Sequence, residues 1–432
     1  MMNEILNCEL MHPSDQITLI ISRIYQRGMT TTSGGNISII DEYGDIWITP
    51  SAVDKGTLTA ADIICVKSDG TIIGKHKPSS EFPFHKAIYD NRPDLKAIIH
   101  AHPPALVSFS IVRQIPNTNV ITQAKNVCGS IGYADYELPG SKALGEKIAA
   151  EFKKGYKAII MENHGTVLGG SDLNDAYDRF ETFEFSARAI LFSKSLGNTN
   201  YLTDQQIDAY DSQLPGLMPE MESVAYPPDE TVKRTEICYI VKRACRQGLM
   251  ISSYGTVSVR WKNNDFLITP THLSRWNIKL EDVVQIKDGK REPGKIPSRA
   301  VMLHQKIYEQ NPHINSIIIT QPPYLMAFGI GNIKFDVRTI PESWIFLQDV
   351  PILPYGSQFE AETIMPSILS KTPAIIVQND SILVTGDKLL QTFDKLEVAE
   401  FSAKSLVLAA PLGQLVPIND TQIEELRKAF LG

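Results

Sequence analysis

The sequence predicts a mixed α/β protein made of two tandem copies of one domain, each a central mixed sheet with helices on its faces. Three observations predict it. Short β-rich runs bounded by turn signals alternate with stretches of helical apolar spacing. The strand-like runs outnumber the helices between them, which disfavours a plain doubly wound sheet. Marker residues then recur, in order, at a spacing close to 220 residues.

Taken in order, the first element is a helix with Ile17, Ile20, Ile21 and Ile24 on one face, with Ser14 placed to cap it and Gly28 to close it. Thr32-Ser33-Gly34-Gly35-Asn36 follows as a Gly-rich loop, either a turn or a cradle of backbone N–H groups for phosphate. It lacks the lysine of a nucleotide-binding loop. Trp47-Ile48-Thr49 and Ala97-Ile98-Ile99 read as strands, and 82–91 and 176–195 as helices. Lys77-Pro78-Ser79-Ser80-Glu81-Phe82-Pro83 opens the first of those helices. Ser79 or Ser80 is expected to cap it, Pro83 is tolerated in the first turn, and the free N–H groups with two hydroxyls suit an anion. Gly140 to Gly145 has glycine spacing like that of a phosphate loop, but Glu146 stands where lysine is required, so no nucleotide site is read there.

The repeat is carried by specific residues. An offset of 220 takes Ile48-Thr49-Pro50 to Ile268-Thr269-Pro270, and Ser33 and Ser38 to Ser253 and Ser258. At 219, His85-Lys86-Ala87-Ile88-Tyr89 falls on His304-Gln305-Lys306-Ile307-Tyr308, and at 216 Glu184-Phe185-Ser186-Ala187 falls on Glu400-Phe401-Ser402-Ala403. A second opening helix, from Asp229 to Gly248, matches the first. The expected domains are 1–213 and 229–432, joined by the Pro-rich linker 214–228.

Composition narrows the function classes. With 432 residues, 43% hydrophobic and 21% charged, the chain is neither disordered, collagenous nor a coiled coil. No apolar run approaches the roughly 18–20 residues of a membrane span. Met1-Met2-Asn3-Glu4-Ile5-Leu6-Asn7 lacks the basic region and apolar core of a secretory signal. Cys8, Cys65, Cys128, Cys238 and Cys245 are an odd, scattered set, expected as reduced thiols in a cytoplasm. Lys+Arg 42 against Asp+Glu 49 gives −7 without a basic cluster, so neither nucleic acid nor membrane is an expected partner.

The chemistry gathers in the first copy. His100-Ala101-His102 follows a strand-like run, and residues i and i+2 of a strand face the same side. Both imidazoles then point one way, as a shared metal requires, although a surface pair of hydrogen-bonded histidines has the same spacing. His164, in Met161-Glu162-Asn163-His164-Gly165, sits at another strand end beside a glycine. Three neutral imidazoles with an open position make a catalytic rather than a structural zinc site. Glu81 reads alone as a favourable charge in a first helical turn, and beside a metal as a general base.

These pieces, in this order, resemble the class II aldolase/adducin family. The resemblance covers the first copy almost end to end, through Ser33-Gly34-Gly35-Asn36, Ile48-Thr49-Pro50-Ser51, Lys77-Pro78-Ser79-Ser80-Glu81, His100-Ala101-His102 and Asn163-His164-Gly165. It implies three-layer α/β/α domains with a mainly antiparallel sheet. It implies that His100, His102 and His164 bind Zn2+, other divalent metals being alternatives, with Glu81 as acid/base. Gly35, Asn36, Ser51, Ser79 and Ser80 would form the phosphate pocket. The implied reaction is zinc-dependent cleavage of a ketose 1-phosphate to dihydroxyacetone phosphate and an aldehyde through a metal-stabilised enediolate. The same scaffold supports a sugar-phosphate dehydratase or 4-epimerase, and from a different class an adducin-like interaction protein. The chain departs from the family at Ala52, where glycine is usual, and the family's tyrosine acid has no motif match, Tyr133 and Tyr136 being nearby candidates.

In the second copy, Arg299 and Ala300 replace Ser80 and Glu81, and Ile319, Gln321 and Asp380 replace the three histidines. That copy is expected to be non-catalytic, with one zinc per chain, in the first domain only. Since the family forms fourfold rings, the resemblance also implies a homo-oligomer, a dimer of chains forming a pseudo-fourfold ring.

Overall fold

A computed structural model describes residues 10–213, 218–222, 226–368 and 372–431. The run Met1–Asn7, Cys8 and the Leu214-Pro215-Gly216 part of the expected linker lie outside the described residues. The chain divides into two compact units, Met1–Thr118 with Gln123–Arg188, and Asn119–Thr122 with Ala189–Gly432.

The first sheet has eight strands: β1 (Asn36–Ile40), β2 (Ile46–Ile48), β3 (Ile64–Val66), β4 (Ile72–Ile73), β5 (Ala97–Ala101), β6 (Gly132–Ala134), β7 (Ala158–Met161) and β8 (Gly165–Gly170). Their order is β4-β3-β2-β1-β5-β8-β7-β6. Every neighbouring pair is antiparallel except β6 and β7, so the sheet is mixed and mainly antiparallel. The helices are α1 (Pro13–Gln26), α2 (Phe82–Asn91), α3 (Pro104–Ile111), α4 (Thr122–Cys128), α5 (Lys142–Lys153) and α6 (Leu173–Ser195). Period-2 alternation gives each strand two faces. Ile98, Ile159 and Val167 meet Phe84, Ile88, Leu144, Ile148 and Phe152 of α2 and α5 in one core cluster. Ile17, Ile20, Ile21 and Ile24 of α1 are fully buried against β1 and β2.

The second sheet repeats the plan with β9 (Thr256–Lys262), β10 (Asp265–Ile268), β11 (Val284–Lys287), β12 (Lys290–Arg291), β13 (Ser316–Thr320), β14 (Ile352–Leu353), β15 (Ala374–Val377) and β16 (Ser381–Gly386), in the order β12-β11-β10-β9-β13-β16-β15-β14. Its one parallel pair, β14 with β15, is the counterpart of β6 with β7. The helices of this unit are α7 (Asp204–Ser212), α8 (Pro228–Gln247), α9 (Val301–Gln310), α10 (Pro323–Gly331), α11 (Pro341–Leu347), α12 (Ala361–Ile364), α13 (Leu389–Ala409) and α14 (Asp420–Phe430). The register repeats as well: Asn36 stands opposite His100 in the first sheet, and Thr256 opposite Ile319 in the second. Among the described residues, no helix is long and apolar enough to cross a membrane.

Three local expectations are corrected. The cap of α1 is His12, whose ring accepts from Ser14 N, because Pro13 takes the first helical position. Neither Ser79 nor Ser80 caps α2. The boundary residue is Glu81, and Ser79 Oγ accepts from Glu81 N in a turn ahead of the helix. The long helix α6 begins at Leu173, three residues before the first of its expected positions.

Candidate metal centre and active site

β5 delivers His100 to the sheet face that carries α2, and His102 follows two residues later, just past the strand end. His164 comes from the tight turn between β7 and β8. Its backbone N–H donates to Ser110 Oγ at 3.0 Å, and Ser110 in turn donates to Met161 O at 2.8 Å, so a buried serine of α3 fixes that turn. Gly165 is required beside it, because a Cβ there would lie 2.6 Å from Ala101 O. The three rings converge, with centroids 4.7, 4.9 and 5.1 Å apart, and one nitrogen from each lies within 4.8 Å of the others. His100 Nδ1 bonds Thr166 O at 2.9 Å, which fixes that nitrogen as a donor, and Nε2 faces the cluster, 3.0 Å from His102 Nε2.

Glu81 closes the group. Its Oε2 lies 3.2 Å from His100 Nε2, and its Oε1 lies 3.5 Å from His164 Nε2. Asn36 Nδ2 donates to Oε2 at 2.7 Å, whereas the buried Oε1 has no hydrogen-bond partner. Burial alone would raise the Glu81 carboxyl, but the charge of His100, its hydrogen bond and the Asn36 amide hold it well below the usual carboxylate range. Burial, with the charge of His100, pushes His102 down to about 3 and His164 to about 4. For His100 burial opposes the charge, yet Glu81 raises its pKa. Two neutral imidazoles, a third paired with a carboxylate and a buried carboxylate oxygen without a hydrogen-bond partner are donors that could hold a divalent cation, and the residues fit one.

Of the five residues expected in a phosphate pocket, Gly35 and Asn36 abut the histidine strand, Asn36 opposite His100 and Gly35 against its carbonyl. Gly35 has φ +70, and a Cβ there would meet His100 O at 2.8 Å, so only glycine lets this loop lie against the strand end. The side chain of Asn36 is engaged at both ends, by Glu81 and by His85. Ser51 and Ser79 sit on loops stapled to one another, Ser51 N to Lys77 O at 3.0 Å and Ser79 N to Thr49 O at 3.1 Å. Ser80 is exposed. Ala52 keeps the left-handed conformation, φ 57. Of the tyrosine candidates, Tyr133 has a buried hydroxyl without a hydrogen-bond partner, and Tyr136 is exposed.

Sequence reasoning passed over Ser110, Thr166, Ser38 and His85. The last two were visible only as repeat markers, although that recurrence was itself a signal that they face something buried. It also missed Lys55, whose buried ammonium donates to Pro50 O at 2.8 Å and Val53 O at 3.2 Å and so holds the Thr-Pro turn.

The first unit thus brings a His-x-His strand end, a third histidine at the neighbouring turn and a buried glutamate together in one mixed α/β domain. The chain belongs to the class II aldolase and adducin N-terminal domain family, whose model matches residues 15–191 and again 235–407. Among its relatives, the 3-oxo-tetronate 4-phosphate decarboxylase of Haemophilus influenzae is 32% identical over 187 residues, 42% of this chain and 88% of that protein. The L-fuculose phosphate aldolase of Methanocaldococcus jannaschii is 37% identical over 179 residues, 41% of this chain and 95% of that protein. A solved L-fuculose 1-phosphate aldolase is 26% identical, covering 49% of this chain and 98% of its own, with a TM-score of 0.42.

Proposed function

We propose that the first copy is a metal-dependent aldolase, an aldehyde-lyase that cleaves a ketose 1-phosphate of the fuculose, rhamnulose or pentulose phosphate class. The products are dihydroxyacetone phosphate and an aldehyde. The observation that carries this reading is Glu81 Oε1, buried without a hydrogen-bond partner beside three converging imidazoles, 3.5 Å from His164 Nε2. His100, His102 and His164 hold the cation, zinc in this reading. When bound, it supplies Lewis-acid polarisation of a substrate carbonyl and an adjacent hydroxyl. Glu81 returns a proton to the carbon that keeps the bonding electron pair when the carbon–carbon bond breaks; in the condensation direction it removes that proton. Gly35, Ser51, Ser79 and Ser80, and Asn36 through its backbone, are assigned to the phosphate end, because Gly35 and Asn36 adjoin the histidine strand and the serines lie on loops beside Glu81. The copies are taken as 1–213 and 229–432 joined by 214–228, in a cytoplasmic protein.

The test is a panel of ketose 1-phosphates with the zinc-loaded full chain, read by release of dihydroxyacetone phosphate. Release from one member supports the aldolase. Carbon dioxide from a 3-oxo acid phosphate, with no release from any ketose phosphate, would replace it with the decarboxylase that the Haemophilus relative suggests. Epimerised or dehydrated products would mark the remaining enzyme readings, and metal-free, inactive protein the adducin-like one.

For assembly, we propose a dimer of chains in a pseudo-fourfold ring. Within the second unit, the segment after α6 covers the end of α10, Asn198 Nδ2 donating to Gly331 O and Asn200 N to Ile330 O. Its counterpart after α13 leaves Leu412, Leu415 and Val416 exposed, and the end of α3 leaves Ile111 and Val112 exposed. A second chain pairing these surfaces would cover both. Light scattering at the mass of two chains supports it, and a monomer overturns it.

A further inference from the structure

Glu81 stands at the end of a chain of buried hydrogen bonds that the chemistry above does not use. Tyr89 Oη lies 2.8 Å from Ser38 Oγ, and Ser38 Oγ lies 2.7 Å from His85 Nδ1. His85 Nε2 bonds Asn36 Oδ1, and Asn36 Nδ2 donates to Glu81 Oε2 at 2.7 Å. All five residues are buried, and they come from β1 and from α2 with its boundary residue.

The carboxylate sets the sense of every bond. An ionised Glu81 only accepts, so Asn36 must present its NH2 to Glu81 and its carbonyl to His85. His85 then carries its proton on Nε2, which leaves Nδ1 to accept from the Ser38 hydroxyl. Ser38 accepts in turn from Tyr89. Each donor finds one acceptor, and the orientation of the Asn36 amide is fixed from behind.

The second copy separates frame from function in this chain. Tyr308 Oη and His304 Nδ1 each lie 2.6 Å from Ser258 Oγ, repeating the first three members. There the chain stops. Thr256 occupies the place of Asn36 and bonds Ser298 Oγ at 2.6 Å, Ala300 replaces Glu81, and His304 Nε2 is buried without a hydrogen-bond partner. The Tyr-Ser-His segment therefore ties helix to strand whether or not a carboxylate is present. The asparagine link occurs in the copy that has the glutamate.

We infer that Asn36 is a positioning residue for Glu81: its amide, oriented by His85, holds Oε2 and leaves Oε1 without a hydrogen-bond partner on the His164 side. This rests on the reading of Glu81 as the group that moves the proton. It gives the Asn36 side chain a task other than binding phosphate.

The experiment uses the zinc-reconstituted full chain and Asn36→Thr, a residue this fold already accommodates at the equivalent position 256. The probe is dihydroxyacetone phosphate in deuterium oxide, with exchange of its carbon-bound hydrogen followed by proton NMR and phosphate affinity measured by inhibition with inorganic phosphate. The expected result is a saturated exchange rate lower by about tenfold to a hundredfold. Half-saturation, phosphate inhibition and zinc content should stay within about twofold. The converse, a preserved saturated rate with half-saturation and phosphate inhibition both weakened about tenfold, would make Asn36 a phosphate ligand and overturn the inference. Should the parent protein show no exchange, it is the reading of Glu81 as proton carrier that fails. Crystal structures then decide the inference: Glu81 swung away from His100 in Asn36→Thr supports it, and Glu81 unmoved overturns it.

Discussion

The two copies have one frame and two interiors. Both place a left-handed residue after the Thr-Pro turn, Ala52 at φ 57 and His272 at φ 55. Both hold that turn with a buried cation, Lys55 donating to Pro50 O and Arg275 to Pro270 O. Both tie helix to strand through serine, histidine and tyrosine. The difference begins at the histidine cluster: in the second copy Gly329 occupies the position equivalent to Ser110, which fixes the His164 turn, and the histidine and glutamate positions hold Ile319, Gln321, Asp380 and Ala300. What recurs is what the sheet and helices require, and what does not recur is the cluster of three histidines and a glutamate.

The sharpest way to test that division is Glu81→Gln. It should lower turnover by about 10²–10⁴-fold while metal content is unchanged, as steady-state kinetics and elemental analysis would check. Ser110→Ala comes next. Losing the hydroxyl that fixes the His164 turn should weaken metal affinity by about tenfold to a hundredfold in a competitive chelator titration. Gly329→Ser, the reciprocal change, should leave it unaltered.

Asp380→Asn probes the interior of the second copy. Burial lifts the Asp380 carboxyl to about 6, against the opposing Ser381 hydrogen bond and Arg299 charge. A raised carboxyl adds stability that is full below pH 3.8 and lost as pH rises through about 6. The asparagine variant should therefore match its parent near pH 4 and unfold later at pH 7.5, by at most about 3 kcal/mol, with turnover unchanged. The smallest effect is expected for Ala52→Gly. Relieving a left-handed alanine should add about 1 kcal/mol to the first copy's unfolding free energy.

Much of this was legible in the sequence because it depends on local pattern. The bounds of α2 follow from apolar spacing and the Ser-Ser-Glu-Phe-Pro opening, and they match the helix observed at Phe82–Asn91. The convergence of His100 with His102 follows from the period of a strand. Misses arose where neighbours decide. Ser14 looked like a cap until Pro13 moved the helix start and gave the role to His12. Ser80 as a cap would find Pro83, which lacks an N–H, three residues on, and Ser79 spends its hydroxyl on the Glu81 N–H in a turn ahead of the helix. The use of His85 depends on a partner 49 residues away in sequence, and no local spacing reports it.

The most direct test of one live and one silent copy is the metal content per chain of zinc-supplemented protein, measured beside His100→Ala. About one equivalent per chain, lost in the variant, is the predicted result. Two equivalents, or one that survives His100→Ala, would contradict the assignment of the metal to the first copy alone.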